Sequence, residues 1–336
     1  MNSLYQVKAP KFRSRKVFVA YAERVNTMKN SHGRPEKNKS FLNVFLSAES
    51  FSSGKFSDAI LTWNELLLHE YLMQSAEIMK GVNLDLGHLR NSVFSEGLCL
   101  QIYYLSWELE KVESELRHPG NPYRPFGPGL SQFGNHICLA ATFCNYKYFV
   151  NIVKTTLDHI DSGHITQLPY AFVTQQFILR LAEHFLRIPR RNWEADKGNW
   201  AFDPLAREPL FQALWDHWAD EGTAILEPLL MQLLNWHTYQ ASRENKDGGQ
   251  DYYPYVEQIP LAYLFILRLR QWRGLSVPKI SHVLTQPPFD SLPDEVEGRY
   301  EFCPFAKEFY AKTISLMPDF IDRLNRIKIR DWEMII

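Results

Sequence analysis

Residues 233–288 read LLNWHTYQASRENKDGGQDYYPYVEQIPLAYLFILRLRQWRGLSVPKISHVLTQPP. The first part of this stretch completes a helix, because apolar residues recur there at spacings of three and four along one face. A polar loop centred on Gly248-Gly249 follows. Residues 259–272 then form the most apolar helical pattern in the chain, with Pro260 near its first position and Gly274 just beyond its last. We therefore expect this helix to lie buried at the centre of the fold.

Helical patterns continue on both sides of this stretch. Apolar residues at helical spacing predict helices over residues 58–80, 92–117, 135–160, 169–188, 208–221, 304–316 and 318–329, and a short one over 278–284. Four prolines and four glycines between His118 and Gly134 predict a loop. Few segments alternate with the period of two that is typical of strands. The sequence therefore predicts an all-α fold, an irregular array of about ten antiparallel-paired helices in two packed halves.

The polar residues 189–204, which carry Trp193 and Trp200, are the predicted boundary between these halves. Residues 41–188 form the N-terminal helical half, and residues 205–336 form the C-terminal half. Residues 1–40 are a basic N-terminal segment, since the first 50 residues hold ten basic and three acidic side chains. Such a segment is typical of a solvated tail, with an organelle transit peptide or a nucleic-acid-binding arm as the alternatives.

Composition limits the class of protein. With 336 residues, 45% of them hydrophobic, the chain can bury a large core without disulfides. Its 37 basic and 38 acidic side chains give no overall attraction to nucleic acid or to a membrane surface. No export signal or membrane span is visible, and the four cysteines form no C-x-x-C pair. We expect buried, reduced thiols in a cytoplasmic protein.

Motifs of enzyme chemistry are missing from the sequence. There is no G-x-S-x-G elbow, no phosphate-binding G-x-x-x-x-G-K-[ST] loop and no H-E-x-x-H helix. A di-iron helical bundle needs two E-x-x-H helices, and only Glu115–His118 has this spacing, beside Pro119. We therefore expect no catalytic residue, no metal and no cofactor.

Two groups in the C-terminal half leave an alternative open. His184, His217 and His237 lie on predicted helices and would converge on a metal ion if the fold brought them together; neutral histidines that donate one ring proton are the commoner interpretation. Five tryptophans have two interpretations: their rings stack on a bound ligand, or they fill the core between helices. They are Trp193, Trp200, Trp215, Trp218 and Trp236.

Local charge is more informative than the total. Residues 191–260 hold twelve acidic and five basic side chains. Asp216 and Asp220, four residues apart, would share one helix face. This acidity without metal-ligand spacing is typical of a surface that meets a basic protein, and a solvated face is the equally simple alternative.

A family resemblance rests on an ordered set of short motifs. They are Trp236-His237-Thr238-Tyr239, a polar acidic loop, Ile259-Pro260-Leu261-Ala262 opening an apolar helix, Gly274, and a Ser281-x-x-Leu284 turn before proline. This succession, over about residues 205–290, resembles the C-terminal part of the Immunity 49 family, helical proteins encoded beside polymorphic toxins. It is similar, more loosely, to helical immunity proteins that neutralise DNase effectors of type VI secretion systems. The chain departs from the family in placing Arg268, Arg270 and Arg273 on the helix.

The resemblance implies a non-enzymatic immunity protein that binds and neutralises a cognate secreted toxin effector, expected to be a nuclease, in the producer's cytoplasm. The implied partner is a basic protein domain. No nucleic-acid or membrane partner is expected, and the resemblance does not decide whether the chain forms a homodimer. The alternatives are a helical enzyme with a metal or cofactor in the C-terminal half, and a helical scaffold or regulator. Carboxylates and aromatic anchors make up the expected partner-binding residues. They are Asp216, Asp220, Glu221, Glu244, Asp247, Asp251, Tyr252, Tyr253 and Tyr255.

Overall fold

The computed structural model describes residues 44–50, 56, 59–60, 86–117, 130–161, 173–188, 209–242, 259–295 and 300–322. Its helices are α1 (Leu86–Arg117), α2 (Leu130–Phe143), α3 (Tyr146–Asp161), α4 (Val173–Phe185), α5 (Pro209–His217), α6 (Leu226–Ser242), α7 (Leu261–Trp272) and α8 (Pro304–Leu316). Val283–Thr285 form a short 3-10 helix. These ranges contain no strand, and the predicted all-α class is confirmed.

Helix α7 begins and ends where its proline and glycine predict. The amide of Leu264 donates to the carbonyl of Pro260 at 3.0 Å, so the proline stands just outside the first turn. Gly274 has a φ of 70°, in the left-handed region that glycine adopts without strain. This turn lets the amides of Gly274 and Leu275 close back on the carbonyls of Gln271 and Arg270, at 2.9 and 3.0 Å. The α7 boundary is therefore fixed by local sequence.

Helix α7 is buried on every side. All ten residues from Leu261 to Arg270 are buried, and the helix contacts α2, α4 and α6. Apart from Arg268 and Arg270, these ten residues are apolar or aromatic around the whole circumference, and such a helix belongs inside a fold. The prediction of a central buried helix is confirmed.

Helix α2 is the second central element, which the sequence did not predict. It contacts α1, α3, α4 and α7, and residues 132–143 are all buried. Gly134 lies inside this helix and not in the predicted loop, so the prediction of a loop through residue 134 is wrong. A Cβ on Gly134 would stand 2.5 Å from the Cβ of Gln175 in α4. The glycine therefore allows α2 and α4 to approach closely.

The single helix predicted over residues 135–160 is also wrong, because the chain breaks between α2 and α3 at Cys144 and Asn145. The Asn145 side chain accepts a hydrogen bond from the amide of Tyr148 at 2.9 Å. This is the capping contact that asparagine makes at a helix start. Because the helix is broken here, α3 can fold back across α2 and contact both α2 and α4.

The remaining predicted helices divide into three cases. Residues 304–316 form α8 with the predicted bounds, and residues 278–284 form only the 3-10 helix near their end. Apart from residues 59–60, the predicted helix over residues 58–80 lies outside the described residues, as do the 189–204 boundary and residues 323–329.

A single cluster of buried residues runs through the described helices. It includes the four cysteines Cys99, Cys138, Cys144 and Cys303, which are buried and free, as predicted. Burial raises the pKa of the Cys99, Cys138 and Cys144 thiols, which keeps them in the unreactive protonated form. Among the described residues, no helix combines the length and apolar character needed to cross a bilayer.

Candidate functional site

The described part of the predicted partner surface is the last turn of α5 and the chain that follows it, here called the acidic turn (residues 216–221). Asp216 and Glu221 are exposed and Asp220 is partly buried. The predicted helix over residues 208–221 is shorter than expected, since α5 ends at His217. Asp220 and Glu221 therefore lie in the turn, and the prediction that Asp216 and Asp220 share one helix face is wrong.

Arg270 binds the backbone just beyond the end of α5. Its Nη1 atom donates to the carbonyl oxygens of Trp218 at 2.7 Å and Asp220 at 2.9 Å, and its Nε atom donates to Ser276 at 2.8 Å. Carbonyl groups that would continue the α5 ladder accept from the guanidinium instead. The Ser276 hydroxyl also donates to the Glu221 carbonyl at 3.0 Å. The end of α7 thus fixes the backbone of the acidic turn.

Side-chain contacts orient two of the three carboxylates. The Asp216 carboxylate accepts from Gln212 Nε2 at 2.8 Å, and Asp220 lies 2.8 Å from the Nδ1 atom of His217. Glu221 points from the fixed backbone into solvent. The turn therefore presents a preorganised group of negative charges. Because its backbone and two of its carboxylates are already held in place, they lose little conformational entropy when a partner binds.

Behind the acidic turn lies a row of packed rings, here called the aromatic strip. It runs from Trp215 through His184, Trp218, Phe185 and Trp272 to Tyr146, with neighbouring ring centroids 5.0–6.2 Å apart. The Arg273 guanidinium lies 4.6 Å from the Trp218 ring centre. Such cation–ring contacts hold a charged side chain against an apolar surface.

The strip decides between the two interpretations of the tryptophans. Trp218 is buried, and Trp215 and Trp236 are partly buried against the core. Trp236 also donates from its indole N–H to the Thr174 hydroxyl at 3.1 Å. Trp215, Trp218 and Trp236 are therefore core and core-edge residues, and Trp193 and Trp200 lie outside the described residues.

The three histidines considered as metal ligands do not converge. His184 lies against Trp215, His217 pairs with Asp220, and His237 is buried in α6. No set of three or more His, Cys, Asp or Glu among the described residues is arranged to hold a metal ion. Desolvation and then the charge of Arg273 lower the pKa of His184, which favours the neutral ring beside that cation.

A buried polar network in the N-terminal half has no signature in the sequence. His136 lies between Glu96 and Tyr148, with Nδ1 3.0 Å from Glu96 Oε2 and Nε2 3.2 Å from the Tyr148 hydroxyl. That hydroxyl donates to the Val93 carbonyl at 3.3 Å. Burial and then nearby Cys144, with further acidic groups, raise the pKa of Tyr148. Because all three side chains are buried, the network joins α1, α2 and α3 and offers no group to solvent.

The other six predicted partner-binding residues lie outside the described residues. They are Glu244, Asp247, Asp251, Tyr252, Tyr253 and Tyr255. No protein-family model, no curated protein and no solved structure matches the chain.

Proposed function

We propose that this chain is an immunity protein that binds a basic toxin domain, a nuclease, in the cytoplasm of the producing cell. The observation that carries the proposal is the acidic turn, whose backbone is fixed by Arg270 and Ser276 while Asp216 and Glu221 face solvent. The resemblance to the Immunity 49 family supplies the class of partner, and the turn supplies a surface with the required sign of charge.

Nuclease domains bind a polyanion, so they present basic side chains around the substrate. A rigid acidic surface attracts such a domain over a distance and raises the association rate by about 10–1000-fold at low salt. It also covers the cationic groups that the nucleic acid needs. Inhibition would then follow from occlusion, with no chemical step on the immunity protein.

The alternative of a helical enzyme gains no support from the Glu96–His136–Tyr148 network. A catalytic group must come within hydrogen-bonding reach of its substrate. Each of these three side chains is at most 6% exposed, and the Tyr148 hydroxyl already bonds to its neighbours. The network has the features of a structural hydrogen-bond system.

The first test searches the genes adjacent to this one for a toxin domain and co-expresses that domain with this chain. The immunity proposal expects that toxin to stop growth when it is produced alone and growth to return when this chain is also produced. A chain that leaves the toxin fully active contradicts the proposal, and so does a neighbourhood without a toxin gene. A scaffold or regulator would give either of these results.

The second test measures association with that toxin domain by surface plasmon resonance at low and high salt. Asp216→Lys combined with Glu221→Lys reverses two exposed charges and keeps the turn carbonyls that Arg270 and Ser276 bind. We expect association at low salt to slow about tenfold or more, with a smaller difference at high salt. Glu308→Lys, an exposed charge on α8, is the matched control and should change little. Equal rates for both variants would contradict a role for the acidic turn.

A further inference from the structure

We propose that residues 277–292, here called the strap, form an acid-sensitive element that opens when His282 takes up a proton. The strap follows α7, and its Leu284 and Phe289 side chains belong to the buried core. Phe289 packs against Phe143 at the end of α2, with 6.4 Å between the ring centroids. Opening of the strap therefore uncovers apolar side chains that it holds against the core.

Buried arginines of α7 fasten the backbone at both ends of the strap. Arg270 Nε donates to the Ser276 carbonyl at 2.8 Å, just before the strap begins. Arg268 donates to the Pro293 carbonyl, just after the strap ends. Arginine keeps its charge throughout the acidic range, so these two contacts persist when the pH falls. A change of protonation within the strap therefore acts on its middle and leaves its ends in place.

A histidine cap closes the middle of the strap. His282 precedes the 3-10 helix Val283–Thr285, and its Nδ1 atom accepts a hydrogen bond from the amide of Leu284 at 3.1 Å. The Thr285 hydroxyl completes the cap, since it accepts from the His282 amide at 2.9 Å and donates to the Ile280 carbonyl at 2.6 Å. Such contacts satisfy backbone groups that the end of a short helix leaves without a partner.

The cap requires the neutral imidazole ring. A ring nitrogen that accepts a hydrogen bond carries no proton, so the neutral His282 ring bears its proton on Nε2. Protonation turns Nδ1 into a second donor, which then faces the N–H group of Leu284 instead of accepting from it. Because the amide loses its acceptor and two donors repel each other, the charged ring moves away and the cap opens.

The surroundings of His282 also favour the neutral ring. Desolvation lowers the pKa of His282, and no charged side chain among the described residues adds to this shift. Tyr263 of α7 packs against the strap, because its hydroxyl bonds to the backbone of Ile280; burial raises the pKa of Tyr263, so it stays neutral in acid. The charged side chains of the strap itself, Lys279 and Asp290, are exposed. The closed strap is therefore stable above about pH 6.5, the usual pKa of histidine, and loses stability as the pH falls through the lowered pKa of His282.

Hydrogen exchange of the purified chain tests this proposal and requires no toxin. Protection factors, corrected for the intrinsic pH dependence of exchange, are compared at about pH 7.5 and about pH 5, on either side of the histidine range. We expect the protection of the Leu284 and Thr285 amides to fall about tenfold or more at the lower pH, because each loses the hydrogen bond of the cap. The Leu264 amide of α7 should stay more protected at both values, since α7 remains folded. Strap amides that keep their protection, or that match Leu264, overturn the proposal.

His282→Asn separates the cap from other effects of acid. Asparagine is a preferred capping residue, and its side-chain oxygen accepts from the Leu284 amide at any pH. We expect this variant to lose the pH dependence of strap protection, and His282→Ala to have low protection at both values. His184→Asn is the matched control, because desolvation also lowers the pKa of His184, which lies on α4. A pH response that persists in folded His282→Asn, or that disappears in His184→Asn, contradicts the proposal.

Nuclear magnetic resonance of the parent chain gives a check that needs no variant. The nitrogen chemical shifts of the His282 ring report which nitrogen carries the proton. We expect the proton on Nε2 at neutral pH, and a titration midpoint below about 6.5 that coincides with the loss of strap protection. A proton on Nδ1 at neutral pH, or a midpoint unconnected with the opening of the strap, overturns the assignment of His282 as the cap.

Discussion

Arg270 is a charged side chain that is buried in this protein and stabilised there by hydrogen bonds to the backbone. Its guanidinium is buried and donates to three backbone carbonyls, and desolvation lowers its pKa while Asp220 partly opposes that shift. Burying a cation is costly unless hydrogen bonds replace its water. Arginine suits this role because its planar guanidinium donates hydrogen bonds to several oxygens in fixed directions. A lysine ammonium has fewer donors and no such fixed geometry. Charge patterning alone would place Arg268 and Arg270 on the surface of α7, so the sequence did not predict their role.

The Glu96–His136–Tyr148 network is equally invisible in the sequence. Its members lie on three helices and are separated by 40 and 12 positions along the chain. No local spacing connects them, and only the packing of α1, α2 and α3 brings them together. The one related sequence feature is Gly97 within a long helical pattern, where glycine normally weakens a helix.

Gly97→Ala tests how tightly this network is packed. On an exposed helix the change stabilises by about 0.5–1 kcal/mol. Here the new Cβ would lie 2.1 Å from the Tyr148 hydroxyl and 3.0 Å from His136 Nε2. We expect destabilisation of about 1–3 kcal/mol, measured by urea denaturation, because the ring must shift within a packed core.

Tyr148→Phe supplies the control for that clash. It removes the oxygen nearest to the new methyl group, so in the double variant Gly97→Ala should cost less than it does alone. A single Gly97→Ala variant that is as stable as the parent would show that Tyr148 moves freely.

At the scale of elements, the residues that begin and end a helix can be predicted from the sequence, and the contacts between helices cannot. Pro260 and Gly274 define α7 because their backbone preferences act within one turn. The sequence does not predict the break at Asn145, because apolar residues continue through Cys144 in a pattern that hides the capping residue. The sequence predicts Gly134 to lie in a loop because it follows a run of glycines and prolines, whereas its role depends on the close contact with Gln175 in another helix. Of the candidate site, the sequence predicted the exposed acidic residues, and it did not predict the turn or its anchor.

Leu264→Ala measures how much the burial of α7 contributes to the free energy of unfolding. Leu264 is fully buried, and its truncation leaves a cavity as well as losing transfer free energy. We expect a loss of about 2–5 kcal/mol in the free energy of unfolding, obtained from urea denaturation. Leu275→Ala, at a partly buried leucine just beyond the same helix, is the matched control and should cost clearly less. Equal costs at the two positions would contradict the central place of α7.

At the scale of the whole molecule, the two predicted halves are joined through their most buried helices. Helix α7 follows the predicted boundary and α2 precedes it, yet they contact each other, and one buried cluster contains both. Arg268 strengthens the connection, because it reaches from α7 to the carbonyl of Thr142 in α2 at 3.0 Å. Sequence composition suggested a linker between residues 189 and 204, and it carried no information about which helices pack across it.

This contact predicts how the chain unfolds. Two halves that share a core lose their packing together, so urea should produce one transition. Far-UV circular dichroism and tryptophan fluorescence should give the same midpoint, and Leu264→Ala should shift both by the same amount. Hydrogen exchange provides the sharper measurement, because Leu264→Ala in α7 should lower the protection of the most stable amides in α2 as much as in α7 itself. If α2 keeps its protection while α7 loses it, or if the two optical probes separate, the halves unfold independently and the shared core does not couple them.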